Sequence, residues 1–144
     1  MGERFDRYCQ AIAEAPARLG ELRRTWARFT QEFKSGQDFH IGQHGNLLLG
    51  PIHAGTIAEP NGTFKIRFAK IDVNRDEPIM PGSWRQLGDD WSLKPVIEND
   101  QFKWTVGEPL NQALTNDELA DEVAINLIEL SKRESEQAAA QQLL

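Results

Sequence analysis

The sequence predicts an α+β domain in which helices at both ends of the chain pack on one face of an antiparallel sheet. Apolar residues near the N-terminus recur at steps of three and four, the spacing of a helix face. Apolar and polar residues alternate in the middle of the chain, as in half-buried strands. A capping motif and a second helical stripe follow. We expect a single domain with a helical segment 1–34, a meander of about five strands over 39–106, a helix over 115–133 and a frayed helical tail over 134–144.

The first element rests on nine apolar residues that occupy the a and d positions of a heptad repeat, which are Phe5, Tyr8, Ile12, Ala15, Leu19, Leu22, Trp26, Phe29 and Phe33. The pattern predicts that this stripe is the buried face. Pro16 leaves two alternatives, because proline removes a helical hydrogen bond. Either one long helix kinks at Pro16, or a short helix ends near Ala13 and a second begins with Pro16 in its first turn. The second is favoured, since the residues around Pro16 offer no packing bulk.

The charges beside this stripe disfavour one kind of dimer. Arg18 at position g and Arg23 at position e would face each other in a parallel homodimer and repel. The large rings along the stripe also suit a sheet better than a two-stranded coil. Other homodimers stay open.

The middle of the chain predicts short strands separated by turns. Pro60-Asn61-Gly62 is typical of a hairpin turn, and a bulge near Ala69 would realign the second arm of that hairpin. Five strands are expected at Leu47–Ala58, Thr63–Val73, Ser83–Leu87, Trp91–Ile97 and Gln101–Val106, and the connector before them has room for a further short strand at Phe39–Ile41.

The last helix has the clearest start signal. Thr115 is an N-cap and Glu118 follows three residues later, which together form a capping box. Its predicted buried stripe consists of Leu119, Val123, Leu127 and Leu130, widened by Ala120, Ala124 and Ile128.

Composition limits the location and the chemistry. The chain of 144 residues has a net charge of −6 and one cysteine, Cys9, which excludes an internal disulfide. No apolar run approaches transmembrane length, and the first residues lack a signal peptide, so we expect a cytoplasmic protein. Cys9 is expected to be a half-buried structural thiol.

Residues 1–34 carry seven basic and five acidic groups, whereas residues 115–136 carry two basic and seven acidic groups. These two segments could lie against each other or attract neighbours of opposite sign, but the favoured interpretation is that both are ordinary solvated faces.

The histidines and the acidic residues of the loops are the polar candidates for a site. His40, His44 and His53 lack a full ligand set, so no metal and no cofactor is predicted. An acidic cluster is conceivable where loops meet, but aspartates in turns more often serve turn geometry, and no nucleophile accompanies them. A resemblance to a calcium loop that begins at Asp72 fails further along that segment. The acidic cluster would contain Asp72, Asp76, Glu77, Asp89 and Asp90.

Three tryptophans form the favoured binding surface. Trp84, Trp91 and Trp104 lie in neighbouring strands, and any that do not face the core would form an apolar patch bordered by Arg85 and Lys103. Such patches anchor protein partners or stack planar ligands.

The layout, size and acidity resemble those of small bacterial adaptors, secretion chaperones and immunity or inhibitor proteins. The first hypothesis is therefore a protein-binding protein without catalytic activity. It would use the tryptophan surface or the acidic last helix. The second is a binding module for a small planar or anionic ligand beside the arginine-bearing first helix, and the third is a small enzyme that uses the loops over 72–90. Nucleic acid is a disfavoured partner, because the chain is acidic despite a stripe formed by Arg18, Arg23, Arg24 and Arg28.

Overall fold

An antiparallel sheet with a helix at each end of the chain makes up the part of the molecule that the structure describes. The computed structural model describes residues 2–31, 36–71 and 84–142, apart from the side chains of Gln43, Trp84 and Gln142. The helices are α1 (Glu3–Trp26) and α2 (Asn116–Gln142). The strands are β1 (Phe39–Ile41), β2 (Leu47–Leu49), β3 (Ile52–Ala58), β4 (Phe64–Ile71), β5 (Trp84–Gln86), β6 (Trp91–Glu98), β7 (Gln101–Val106) and β8 (Gln112–Leu114). The predicted α+β class is confirmed.

The sheet is a meander with order β1-β2-β3-β4-β6-β7-β8, in which every neighbouring pair is antiparallel. There are more strands than predicted for two reasons. A turn at Gly50, where φ is +60°, divides the expected strand over 47–58 into β2 and β3. The segment after β7 also turns back and adds β8 along its edge. The predicted hairpin between β3 and β4 is present, closed by a 2.9 Å hydrogen bond from the Glu59 amide to the Thr63 carbonyl.

The sheet has an irregularity, but not where the sequence placed it. The β3–β4 register runs unbroken through Ala69, so the predicted bulge there is wrong. Instead, β5 and β6 pair with the same edge of β4, and four residues over 87–90 stand opposite Arg67 and Phe68. The two extra residues therefore belong to the neighbouring strand and not to β4.

Both helices contribute to a core on one face of the sheet. α1 contacts α2 and β6, while α2 contacts β2 and β3 as well. The Trp26 indole donates a 2.8 Å hydrogen bond to the Gly45 carbonyl and fastens the end of α1 to the loop before β2. The buried core residues from the sheet include Leu47, Ile52, Ala54, Ile66, Phe68, Trp91, Leu93, Trp104 and Val106.

α1 is one helix and not two. It continues through Pro16, so the favoured alternative of two helices is wrong. Pro16 is exposed. Proline has no backbone N–H, so the carbonyl four residues earlier loses its helical hydrogen bond, and water can reach that carbonyl instead. The α-helix ends at Trp26, earlier than predicted, and continues as a short 3₁₀ turn over Ala27–Thr30. The predicted end of the helical segment, at Lys34, lies outside the described residues.

α2 begins as the sequence predicts. The Thr115 amide donates to Glu118 Oε1 at 3.0 Å, and the Glu118 amide donates to Thr115 Oγ1 at 3.3 Å. This is the capping box, and it satisfies donors that a helix start otherwise leaves free. The helix continues through the predicted tail to Gln142. Within the described ranges, neither helix is apolar enough over a sufficient length to cross a bilayer.

Candidate functional site

The N-terminal half of α1 carries an exposed apolar surface. Phe5 is 55%, Tyr8 63% and Ile12 49% exposed, and we call these three residues the α1 stripe. The sequence predicted that they are buried, which is wrong. The same heptad pattern is buried further along the helix, at Ala15, Leu19, Leu22 and Trp26. Phe29 is half-buried, and Phe33 lies outside the described residues.

Helix geometry explains this division. Successive residues of a helix are turned by about 100°, so Ala11 and Ile12 point in different directions. Ala11 is buried and begins the face that follows through Ala15. Phe5 and Ile12 lie at the edge of that buried face, on the opposite side from Ala11. The apolar pattern identifies one side of the helix, but the sheet covers only the part that follows Ala11.

A groove lies between the α1 stripe and the end of β6. Its volume is about 300 Å³. Arg7 belongs to its rim and donates a 3.4 Å hydrogen bond to the Glu3 carbonyl. The lining residues are Arg4, Arg7, Tyr8, Ala11, Pro95, Val96 and Ile97. The floor is thus apolar, and two guanidinium groups lie at its border.

The other flank of the stripe is uncharged. Heptad position e is occupied there by Gly2, Cys9 and Pro16, and all three are exposed. Cys9 is a free thiol, so its expected half-burial is wrong. It points away from the sheet because position e lies opposite the flank that carries the buried Ala11.

A second, polar cavity of about 340 Å³ lies between α1, the β6–β7 turn and the start of α2. Arg18 lines it and bonds to Glu21 at 3.0 Å and Glu14 at 3.2 Å, while its guanidinium lies 5.5 Å from the Phe102 ring centre. The hydrogen bond to Glu21 raises the pKa of Arg18, against the opposing effect of burial. The cation is therefore neutralised by the chain itself.

Asn116 closes the inner end of this polar cavity. Its Oδ1 accepts a 2.8 Å hydrogen bond from the Trp104 indole, and its Nδ2 donates to the Arg18 carbonyl at 2.9 Å. One amide thus joins the sheet, α1 and α2. Sequence reasoning missed this residue, because it depends on contacts between distant parts of the chain.

The predicted tryptophan surface is mostly inside the core. Trp104 is fully buried and Trp91 nearly so, with Trp91 packed edge-on against Phe68 at 4.8 Å between ring centres. The two rings therefore cannot form an exposed patch, and this part of the prediction is corrected. Trp84 begins β5, and its side chain lies outside what the structure describes.

The two predicted border residues lie apart and each has an acidic neighbour. Arg85 donates to Glu134 of α2 at 2.6 Å. Lys103 lies 4.0 Å from Glu98. Although burial raises the pKa of Glu134, hydrogen bonds from Lys70 and Arg85 lower it below its ordinary value. Arg85 therefore links the sheet edge to α2, and a binding role for Arg85 or Lys103 stays a prediction.

The predicted acidic cluster is reduced to two residues in the described chain. Asp72, Asp76 and Glu77 lie outside the described residues. Asp90 accepts two hydrogen bonds from Arg67, at 2.9 Å to Nε and 2.8 Å to Nη2. These bonds hold the pKa of Asp90 below its ordinary value. Asp90 thus ties the segment between β5 and β6 to Arg67 of β4. A carboxylate with a lowered pKa is unsuited to act as a general base near neutral pH.

The histidines do not converge. His40 is exposed and 3.1 Å from Asp38, and His44 lies in a turn with φ +63°. His53 has a buried Nε2 without a hydrogen-bond partner in the described residues, and burial lowers the pKa of its imidazole. The described residues contain no group of three histidine, cysteine or acidic side chains placed to hold a metal.

Two arginines, Arg23 of α1 and Arg28 of the turn that follows, bind distant parts of the chain. Arg23 donates to Thr56 Oγ1 at 2.8 Å. Arg28 forms ion pairs with Asp117, at 3.3 Å, and with Asp121. Arg28 thus joins the basic first segment to the acidic last helix, whereas the charge pattern favoured two solvated faces.

Comparison of the chain with protein-family models, with curated proteins and with solved structures gives no significant match. The geometry of the molecule is therefore the basis for a functional proposal.

Proposed function

We propose that this chain binds another protein chain through the α1 stripe and the adjoining groove, and that it has no catalytic role. The observation that supports this is the exposure of three large apolar side chains at helical spacing on a well-packed domain. Single exposed apolar residues are ordinary on protein surfaces, but a contiguous stripe marks an interaction site.

The chemistry of the stripe suits protein recognition. Helices that dock into a groove use anchors at the spacing i, i+3 and i+7, which Phe5, Tyr8 and Ile12 match. Aromatic side chains such as Tyr8 supply much of the energy at protein interfaces. The single cysteine agrees with a cytoplasmic setting, which we include in the proposal.

The other two hypotheses receive less support. The polar cavity lies beside the arginine-bearing helix, where the ligand hypothesis requires it, but Glu21, Asp100 and Asp117 line it and oppose an anion. The enzyme hypothesis needs free carboxylates in the loops over 72–90, but Asp90 is held by two hydrogen bonds from Arg67.

The test is retention of proteins from the producing cells on tagged, full-length chain. The variant Ile12→Glu places a charge in the stripe, and Ile125→Glu is its matched control, because Ile125 on α2 is also 49% exposed. We expect a protein that is retained by the wild type and by Ile125→Glu, and lost with Ile12→Glu. Retained untagged copies of the chain count as a partner. Identical retained proteins with all three baits would contradict the proposal.

A further inference from the structure

We infer that the part of the partner that docks beside the α1 stripe is a short acidic segment, in which a large apolar side chain is flanked by carboxylates. The inference rests on the proposed function, because it names the chemistry of the partner for the same surface. Three properties of the groove support it, which are an apolar floor, a positively charged rim and a small area.

The floor of the groove can receive a large apolar side chain. It is formed by Ala11 of α1 and by Pro95, Val96 and Ile97 of β6, and Tyr8 borders it. Its volume of about 300 Å³ is at the small end of the range for pockets that enclose a compact ligand. The groove therefore suits side chains of a partner and not a whole folded element.

The rim of the groove is positively charged. Arg4 and Arg7 line it, both are exposed, and none of the lining residues is acidic. The guanidinium of Arg4 has no ion pair or hydrogen bond with the other described residues. Arg7 lies 3.7 Å from the carboxylate of Glu3, whose side chain is 93% exposed. An exposed pair of this kind contributes little, so Arg7 can turn to a carboxylate of a partner.

The acidic residues nearest to the groove in sequence point elsewhere. Asp6 follows Arg4 by two residues, and a helix turns by about 200° over that step, so Asp6 lies on the opposite side of α1. Glu98 follows Ile97 in β6, and its side chain points to the other face of the sheet, 4.0 Å from Lys103. The groove is therefore locally basic, although the chain has a net charge of −6. Exposed charges more than about 8 Å away are largely screened at physiological ionic strength.

The size of the surface favours a short segment over a folded partner. A standard interface buries about 800 Å² on each partner, and the three side chains of the α1 stripe with one groove fall short of this area. Interfaces below the standard size are typical of weak and transient contacts. We therefore expect reversible binding that weakens as salt is added, because the rim charges are exposed.

The concave shape favours a peptide over the other anionic partner, a membrane surface. A helix that lies on a bilayer inserts its projecting apolar side chains among the lipids. The groove beside α1 would then stay unfilled. A peptide side chain fills it, while carboxylates on either side of that side chain meet Arg4 and Arg7.

The first experiment selects binders of the full-length chain from a phage-displayed library of short random peptides. Parallel selections use Arg4→Glu/Arg7→Glu and a control with the same change of charge, Arg24→Glu/Arg133→Glu, because Arg24 and Arg133 are exposed arginines outside the groove. We expect the wild type and the control to enrich peptides with Asp or Glu beside a large apolar residue. Arg4→Glu/Arg7→Glu should not enrich them. Enrichment of neutral or basic peptides on the wild type, or of none, would overturn the inference.

The second experiment measures the affinity of an enriched peptide by fluorescence anisotropy. We expect Arg4→Glu/Arg7→Glu to bind it about tenfold more weakly than the wild type and the control do. A peptide with Lys in place of Asp and Glu should show the reverse preference, because the charges of both partners are then exchanged. Tyr8→Ser should also bind more weakly, since Tyr8 borders the groove, and circular dichroism checks that each variant is folded. Equal affinity of the wild type and Arg4→Glu/Arg7→Glu would place the peptide elsewhere and overturn the inference.

The third experiment tests the membrane directly, by sedimentation of the chain with vesicles of phosphatidylcholine and phosphatidylserine. We expect the wild type to stay in the supernatant. Binding to these vesicles that is lost in Arg4→Glu/Arg7→Glu, without enrichment of an acidic peptide, would assign the surface to a membrane and overturn the inference.

The remaining outcomes separate this inference from the proposed function. Retention of a cellular protein that depends on Ile12 but is unchanged in Arg4→Glu/Arg7→Glu would leave the proposed function standing and overturn the acidic segment. The absence of such a retained protein, together with the absence of an enriched peptide, would remove both.

Discussion

The two halves of α1 carry the same apolar pattern in different surroundings. In the C-terminal half, Leu22 and Trp26 are covered by the sheet and by α2. In the N-terminal half, Phe5 and Tyr8 are more than half exposed. The difference teaches that a heptad pattern identifies the apolar side of a helix and says nothing about how much of it the rest of the chain covers. The uncovered part therefore calls for an explanation other than stability.

The largest expected difference between the halves is in stability. Leu22→Ala removes a fully buried side chain from the core, and we expect it to lower the free energy of unfolding by about 2–5 kcal/mol. Chemical denaturation followed by tryptophan fluorescence measures this. Ile125→Ala is the control, with an expected change within about 0.5 kcal/mol. A cost below about 1 kcal/mol for Leu22→Ala would show that this half is not packed as described.

The boundary between the halves gives the second prediction. Pro16 lies just after it, inside a continuous helix, and an interior proline weakens a helix by about 3 kcal/mol. Proline also restricts the unfolded chain, which returns up to about 1 kcal/mol. We expect Pro16→Ala to raise the free energy of unfolding by about 2 kcal/mol. In the same assay Ala17→Gly should lower it by about 1 kcal/mol. Unchanged stability in Pro16→Ala would mean that α1 must bend there to follow the sheet.

Local patterns predicted the elements of this fold well. The capping box at Thr115, the alternation along β7 and the apolar spacing of α2 each depend on neighbours within a few positions of the chain. The helix classes, the antiparallel sheet and the buried stripe of α2 were predicted for this reason. The continuity of α1 through Pro16 was not, because it depends on the exposure of one position in the finished fold.

The candidate site could not be predicted in the same way. Whether Trp104 faces a partner or the core depends on Asn116 and on the helices above it. The role of Asp90 depends on Arg67, which is distant in sequence and adjacent in the sheet. The exposure of Tyr8 depends on where the sheet ends beneath α1. Each of these is a long-range contact, which a single sequence does not record.

The third prediction concerns Asp90, which directly precedes β6, and its expected effect is smaller. Arg67 lowers the pKa of Asp90 in the fold, so the unfolded chain takes up its proton first as the pH falls. The stability that the Arg67–Asp90 pair contributes is fully present above the ordinary carboxyl pKa, and it is lost as the pH falls through the pKa of Asp90 in the folded chain. We expect Asp90→Asn to cost about 1–2 kcal/mol near neutral pH and to flatten the acid side of the stability curve. The exposed Asp89→Asn should keep the wild-type curve, and equal curves for both variants would contradict the assignment.

The smallest expected effect is the one that decides what the exposed half is for. At low protein concentration, Phe5→Ala and Tyr8→Ser should change the free energy of unfolding by no more than about 0.5 kcal/mol, because neither side chain is packed in the core. A partner that binds only the folded chain through the α1 stripe stabilises it by mass action, so adding the protein that the wild-type bait retains should raise the wild-type melting temperature. In Tyr8→Ser this rise should disappear. A loss above about 1.5 kcal/mol at low concentration would mean that the stripe belongs to the fold itself. An apolar side chain whose removal costs nothing to the monomer, and matters only when a second chain is present, belongs to an interface.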